Sequence, residues 1–122
     1  MSTVKPYYHT YSTNEQVVGL WIDNSIIYEK TFTGGSSSAN VSIDVTALNI
    51  DKFLGVDTGA SIVVRADNGT HTSINYNLPT DMRYANGVYF TSDGTTDSVV
   101  IQRNKYNIKS YILTIRYTKS SS

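Results

Sequence analysis

The stretch Glu15-Gln-Val-Val-Gly-Leu-Trp-Ile-Asp23, the pair Asn24-Ser25 and the returning run Ile26-Ile-Tyr-Glu-Lys-Thr-Phe32 decide the fold class. Side chains of an extended strand alternate with a period of two, so Val18, Leu20 and Ile22 share one face and Val17, Gly19 and Trp21 the other. Both faces are apolar, which predicts a strand inside a packed structure rather than at a solvated edge. Asp23 and Asn24 tolerate the left-handed backbone that a tight hairpin turn demands. On the return, Tyr28 and Phe32 alternate with Glu29 and Thr31, the pattern of a half-buried partner strand. Trp21 is the single tryptophan of the chain. Set in mid-strand between Leu20 and Ile22, it reads as a core anchor whose removal would cost about 3–5 kcal/mol.

Beyond the hairpin the same alternation recurs. Residues 33–40 form a Gly/Ser-rich loop, and residues 41–46 a strand with Val41, Ile43 and Val45 inward. Residues 47–60 hold the one helical piece expected, capped by Asn49 or Asp51, with Ile50, Phe53 and Leu54 on one side and Gly55 at its end. Strands follow at 61–66, 71–78, 87–92, 98–103 and 111–118, with turns at Asp67-Asn-Gly-Thr70 and Asp93-Gly94. About eight short strands, at most one helical turn and no gap for a crossover helix specify an all-β fold, an antiparallel, jelly-roll-like β-sandwich. Residues 1–13 read as a lead-in, 14–119 as one domain and 120–122 as a frayed tail.

Composition narrows the function classes. The 122 residues suffice for one domain, and ten Lys plus Arg balance ten Asp plus Glu. That balance argues for neither nucleic acid nor an anionic membrane as partner. Cysteine is absent, which removes disulfides, zinc-thiolate sites and thiol nucleophiles together. No stretch approaches the ~20 apolar residues of a membrane helix. Ten tyrosines with abundant Ser and Thr favour strands.

The chemistry-bearing motifs are few. Ser12, Ser61 and Ser98 lack a nucleophile-elbow context. His9 and His71 stand alone, so neither metal nor cofactor is expected. Asp93-Gly-Thr-Thr-Asp97 reads as a hairpin turn rather than a calcium loop. Asp51, Asp57 and Asp81 are the loop carboxylates that a glycosidase would need as a separated pair; turn formation accounts for most such aspartates.

The residues Tyr11-Ser-Thr-Asn-Glu-Gln-Val-Val-Gly-Leu-Trp-Ile-Asp23, followed by Tyr28-Glu-Lys-Thr31 and by the closing Tyr117-Thr-Lys119, resemble a module that ends many tailed-bacteriophage tail and fibre proteins. There the motif runs approximately Tyr-Ser-Thr-x-Glu-x-x-Val-Gly-x-Trp-Ile-Asp-Gly-Lys-Pro-x-Tyr-x-Lys-Thr. The departure is at the turn, where Asn24, Ser25 and Ile26 stand for Gly-Lys-Pro; asparagine takes the same backbone geometry. The resemblance implies a non-enzymatic virion module, made in the cytoplasm of a bacterial host. It implies the distal end of a homotrimeric tail fibre or receptor-binding protein, with other virion proteins and host cell-surface polysaccharide as partners. A purely structural trimerisation cap or capsid-fibre or decoration domain is the alternative, and an all-β depolymerase ranks below both. In such a module Gly19, Trp21 and Tyr28 would be structural anchors, Gly19 through close backbone approach.

The expected ligand site comes from counting strands. If every connection reverses the chain, eight strands put both termini at one end. The turn at 23–25 and the loops 47–60, 79–86 and 104–110 then lie at the other. That end would carry Arg83, Tyr84, Asn86, Asn104, Lys105, Tyr106 and Asn107, stacking rings and hydrogen-bonding groups suited to sugars.

Overall fold

The computed structural model describes residues 9–75 and 86–120, and the all-β sandwich is what they form. Nine strands follow in order: β1 (Gln16–Leu20), β2 (Ile26–Gly34), β3 (Val41–Asp44), β4 (Ile50–Val56), β5 (Ile62–Arg65), β6 (His71–Asn75), β7 (Asn86–Ser92), β8 (Asp97–Ile101) and β9 (Ile108–Lys119). β9, the longest, is rich in β-branched and aromatic residues and organises the larger sheet. Along one side it pairs with β2, from Tyr28↔Tyr117 to Gly34↔Tyr111. Along its other side β4 and β5 lie end to end, with Val56 opposite Ile115 and Ile62 opposite Ile112. β1 forms the edge beyond β2, and β6 lies beyond β5.

β7, β8 and β3 make the smaller, antiparallel sheet. Val45, Val63, Val88, Val99, Ile101, Ile108, Leu113, Ile115 and Tyr117 are buried between the two. Phe53 of β4 stacks on Phe90 of β7 at 5.3 Å, joining the layers. The sheets also meet through a short parallel pair, Ile74↔Asn86 and Asn75↔Gly87.

Three expectations are corrected here. The helical piece at 47–60 is instead the strand β4, flanked by 3-10 turns at Thr46–Leu48 and Thr58–Ala60. β4 is irregular between Ile50 and Phe53 and again before Gly55, which sits at φ 116°. Each bulge inserts a residue and shifts the faces, so a bulged strand can imitate the i, i+3, i+4 spacing of a helix.

The second correction concerns β1. It is an edge strand, and Val17 faces Tyr28 while Gly19 faces Ile27, so Val18 is a one-residue bulge. Directly paired residues share a face; Val17, Leu20, Ile26 and Tyr28 therefore line up on one side of the hairpin. Trp21 is 40 % exposed and Ile22 91 %, so the tryptophan is not part of the core. Gly19 is not needed for close packing within the chain either, since an added Cβ would meet nothing nearer than Ile27 Cδ1 at 4.0 Å. The glycine that a close approach does require is Gly34, over which the Tyr111 ring lies.

The third is the polarity of β2. Glu29 and Thr31, expected on the wetter face, are buried, whereas Tyr28 is only half-buried. The chain ahead of β1 covers them, with Thr31 N donating to Ser12 O at 2.9 Å and His9 reaching the Glu29 carboxylate, which Gln16, the first residue of β1, also meets.

Candidate functional site

The ends of the sandwich differ from the strand count. β6 and β7 run parallel, so the chain re-enters β7 at the end from which β6 set out and every later connection changes sides. One end gathers the turn at Asp23-Asn24-Ser25, the Thr46–Leu48 turn, the Asp93–Thr96 turn and Ser120. It is tied by Lys52 Nζ to Asp23 at 3.2 Å, Asp97 N to Thr46 Oγ1 at 3.0 Å and Ser120 N to Asn49 O at 2.8 Å. The other gathers residues 34–40, 66–70 and 102–107, through Ser37↔Ile108 and Ala66 N to Asn107 O at 2.9 Å. The hairpin turn and the 104–107 loop, expected together, are at opposite ends.

Within that second end the expected ligand residues divide. Asn86 is fully buried and Asn104 nearly so. Asn86 Nδ2 donates to Gln102 O at 2.9 Å, Asn104 Nδ2 to Asn86 Oδ1 at 3.3 Å, and Asn104 Oδ1 accepts from Tyr106 N at 2.7 Å. These two amides hold the loop in shape and leave contact to their neighbours. Lys105 and Asn107 are exposed and Tyr106 is half-buried. Arg65 lies 3.3 Å from the centre of the Tyr106 ring and chelates Asp67 through Nε at 3.0 Å and Nη2 at 2.6 Å. That pairing raises the Arg65 pKa and holds the Asp67 carboxyl below its usual range, so both stay charged. Arg83 and Tyr84 lie outside the described residues.

Beside Asn107 opens a shallow groove of about 410 Å³, lined by Ser36, Ser37, Ser38, Ala66, Asn107 and Ile108. The serines of the 33–40 loop, which the strand count put at the far end, thus border the Asn107 amide. Arg103 Nη1 donates to Asn107 Oδ1 at 3.0 Å and fixes it. Sequence gave these serines no distinction; the Ser37↔Ile108 bridge, formed between distant segments, is what brings them in.

The hairpin end shows a second feature. Glu15 accepts from Tyr117 Oη and, at 2.7 Å, from Lys119 Nζ. Burial opposes its charge, but these two donors outweigh it and the carboxyl titrates below its ordinary range. Burial, then the Glu15 carboxylate, push the Tyr117 phenol far up. Asp23 accepts from Ser25 N at 2.9 Å in the turn, and its pKa falls to about 2. Asn24 supplies the left-handed residue at φ 67°.

On the outer face of the larger sheet Arg116 bridges Glu29 and Asp57, both at 2.9 Å, and Tyr11 Oη donates to Asp57 at 2.9 Å. The Tyr11, Ser12 and Glu15 side of the motif therefore ties the incoming chain to β2, to Asp57 just past β4, and to β9. Asp93 closes its turn by accepting from Thr95 N and Thr96 N at 2.9 and 2.7 Å, a hairpin. Among the described residues no three His, Asp or Glu side chains converge as metal ligands, and no helix is long and apolar enough to cross a membrane. Comparison of the chain with protein-family models, with curated proteins and with solved structures finds no match.

Proposed function

We propose that this chain is a non-enzymatic structural module of a phage virion, the distal domain of a homotrimeric tail fibre or receptor-binding protein, and that it contacts host cell-surface glycan through the 104–107 loop. The reading is carried by the serine-lined groove beside Asn107, where serine side chains border an amide held by Arg103, on a loop that also carries the Tyr106 ring. Sugars are bound by such mixtures of fixed hydrogen-bond groups and ring faces. The motif supports the virion assignment through its resemblance, and its Tyr11, Ser12 and Glu15 each make a bond that fastens the incoming chain. The domain would then be held firmly on whatever precedes it.

The structural alternative, an assembly cap that touches no receptor, is favoured by a different observation: the exposed apolar residues of the first hairpin. The two readings separate in one experiment. The purified domain is applied to an array of bacterial surface polysaccharides, beside the variant Lys105→Ala/Tyr106→Ala/Asn107→Ala. Binding by the parent and at least a tenfold loss in a variant that keeps its strand spectrum support attachment. Absence of binding leaves the assembly cap, and equal binding by both proteins refutes the 104–107 loop as the contact.

A further inference from the structure

The first hairpin exposes more apolar surface than its own chain can cover. Val17 is 62 % exposed, Leu20 65 %, Trp21 40 %, Ile22 91 % and Ile26 43 %. The cause is architectural. β1 lies at the edge of the larger sheet, beyond β2, while the facing sheet has only β7, β8 and β3. The inner face of the hairpin therefore overhangs, and the Val18 bulge turns Val17 onto the same side as Leu20, Ile26 and Tyr28. Next to them a groove of about 560 Å³ runs between Ser25, Ile26, Tyr28, Asp51, Lys119 and Ser120.

The geometry points to this overhanging face as the surface on which a second copy of the chain docks, which names the contact for the assembly part of the proposed function. Area is the first argument. Trp21 pairs with Ser25 and so faces away from Leu20 and Ile26; taking about 150 Å² for each aliphatic residue, the exposures of Val17, Leu20, Ile22 and Ile26 amount to about 390 Å². A standard interface buries about 800 Å² per partner, and about 65 % of it is apolar where two copies meet, which asks for about 520 Å². The patch supplies about three-quarters of the apolar area that one side of such a contact needs, and the groove beside Ile26 and Tyr28 adjoins it.

Charge is the second argument. The charged groups at the rim are already paired: Lys52 with Asp23 and Asp51, at 3.2 and 3.1 Å, and Lys119 with Glu15 at 2.7 Å. The chain carries no net charge. Two identical copies therefore meet without repulsion, and the face offers nothing to draw in a strongly charged partner. Aliphatic side chains make up four of the five exposed residues, which suits protein rather than sugar. Nor is the start of the described chain in position to cover it, because His9 binds Glu29 on the opposite face of β2. The bulge matters to the mode of docking as well. It disrupts the free edge of β1 against simple strand addition, so the copies meet through side chains, with Ile22 at the tip free to enter the partner's groove.

Light scattering is measured from 1 to 200 µM on the parent, on Leu20→Lys/Ile22→Lys and on Ile112→Lys, a partly exposed apolar residue on the other face of the sheet, with melting temperature as the check of folding. The parent should form a homo-oligomer. The hairpin variant should shift the midpoint of assembly by at least tenfold at unchanged melting temperature, and the Ile112 variant should match the parent. An oligomer indifferent to the hairpin variant would refute this surface while leaving assembly intact. A parent that stays monomeric throughout would refute self-association altogether and leave the face to another protein. Should the hairpin variant fail to fold, concentration-independent scattering in the parent refutes the proposal on its own.

Discussion

Replacing Arg116 by methionine should destabilise the domain by more than a surface ion pair could account for. The Arg116 guanidinium is 37 % exposed, but the Glu29 carboxylate it holds is fully buried. Deleting one partner of a buried pair costs about 3–5 kcal/mol, because the remaining charge has lost its counter-ion without regaining water. Two features reduce that figure here. Oε1 of Glu29 keeps His9 Nε2 at 2.7 Å and Gln16 Nε2 at 3.1 Å, and solvent already screens the guanidinium. About 2–3 kcal/mol remains, and at about 4 °C per kcal/mol for a chain of this length the melting temperature should drop by about 8–12 °C. Differential scanning calorimetry gives the value directly. The decisive comparison is the cycle with Glu29→Gln: once the buried carboxylate is neutral, Arg116→Met should cost far less, leaving a coupling of about 1.5–2 kcal/mol. Additive single effects, or a drop under 2 °C for Arg116→Met alone, would show that Glu29 does not depend on this ion pair.

Other expectations can be checked on the same instrument. Trp21→Ala should cost about 1 kcal/mol in a dilute sample, against about 2–5 kcal/mol for Leu113→Ala, because the leucine is fully buried and the tryptophan is not. Equal losses would return Trp21 to the core. Glu15 and Asp23 both titrate below their ordinary values of 4.5 and 3.8. Their contribution is thus complete above those values and is lost as pH falls through the lower, folded-state ones, toward about 2 for Asp23. Melting temperature should decline below about pH 5, and Tyr117→Phe, which removes a donor to Glu15, should flatten that decline. An unchanged acid limb in that variant counts against the Glu15 assignment. Gly55→Ala should cost about 1–2 kcal/mol, since alanine does not adopt φ 116° without strain. Asn24→Gly should be neutral within about 0.5 kcal/mol, because Asn24 already adopts the left-handed geometry. A reversal of these two would mean that the turn and bulge geometry differs from that described.

The fold class was legible in the sequence because alternation and turn chemistry are local signals. Asn68-Gly69 and Asp93-Gly94 close hairpins where they were expected, with both glycines at positive φ. Bulges defeated the finer reading. A single extra residue at Val18 moved Val17 to the face of Leu20, and two irregularities in β4 gave Ile50, Phe53 and Leu54 a helical spacing. Nothing in the composition of either stretch marks the inserted residue. The end of the sandwich to which each loop belongs was lost at one step, the parallel pairing of Ile74 with Asn86, since counting reversals assumes a hairpin at each connection. The loop residues themselves were chosen by type. Type does not distinguish Asn104, whose amide is consumed by Asn86 and Tyr106, from Asn107, whose surroundings open onto a groove.

Glu29 shows why burial could not be assigned from polarity. In a strand that alternates Tyr28, Lys30 and Phe32 with Glu29 and Thr31, the carboxylate was placed on the wetter face because water is the partner a charged group usually has. Water can be replaced when fixed donors take its place. Here they come from three separate parts of the chain: His9 ahead of the hairpin, Gln16 at the start of β1 and Arg116 in β9. Thr31 follows the same rule, its hydroxyl meeting that of Thr114 at 2.8 Å. The residues ahead of β1 had been read as a lead-in on the strength of their irregular pattern. Of these, residues 9–15 cross β2 with polar groups turned inward, which leaves no place for the alternation of a strand packed on an apolar core. The same inversion then leaves the apolar side of the hairpin to overhang the smaller sheet. The buried acid and the exposed Leu20 and Ile22 are two consequences of which face of β2 the incoming chain covers.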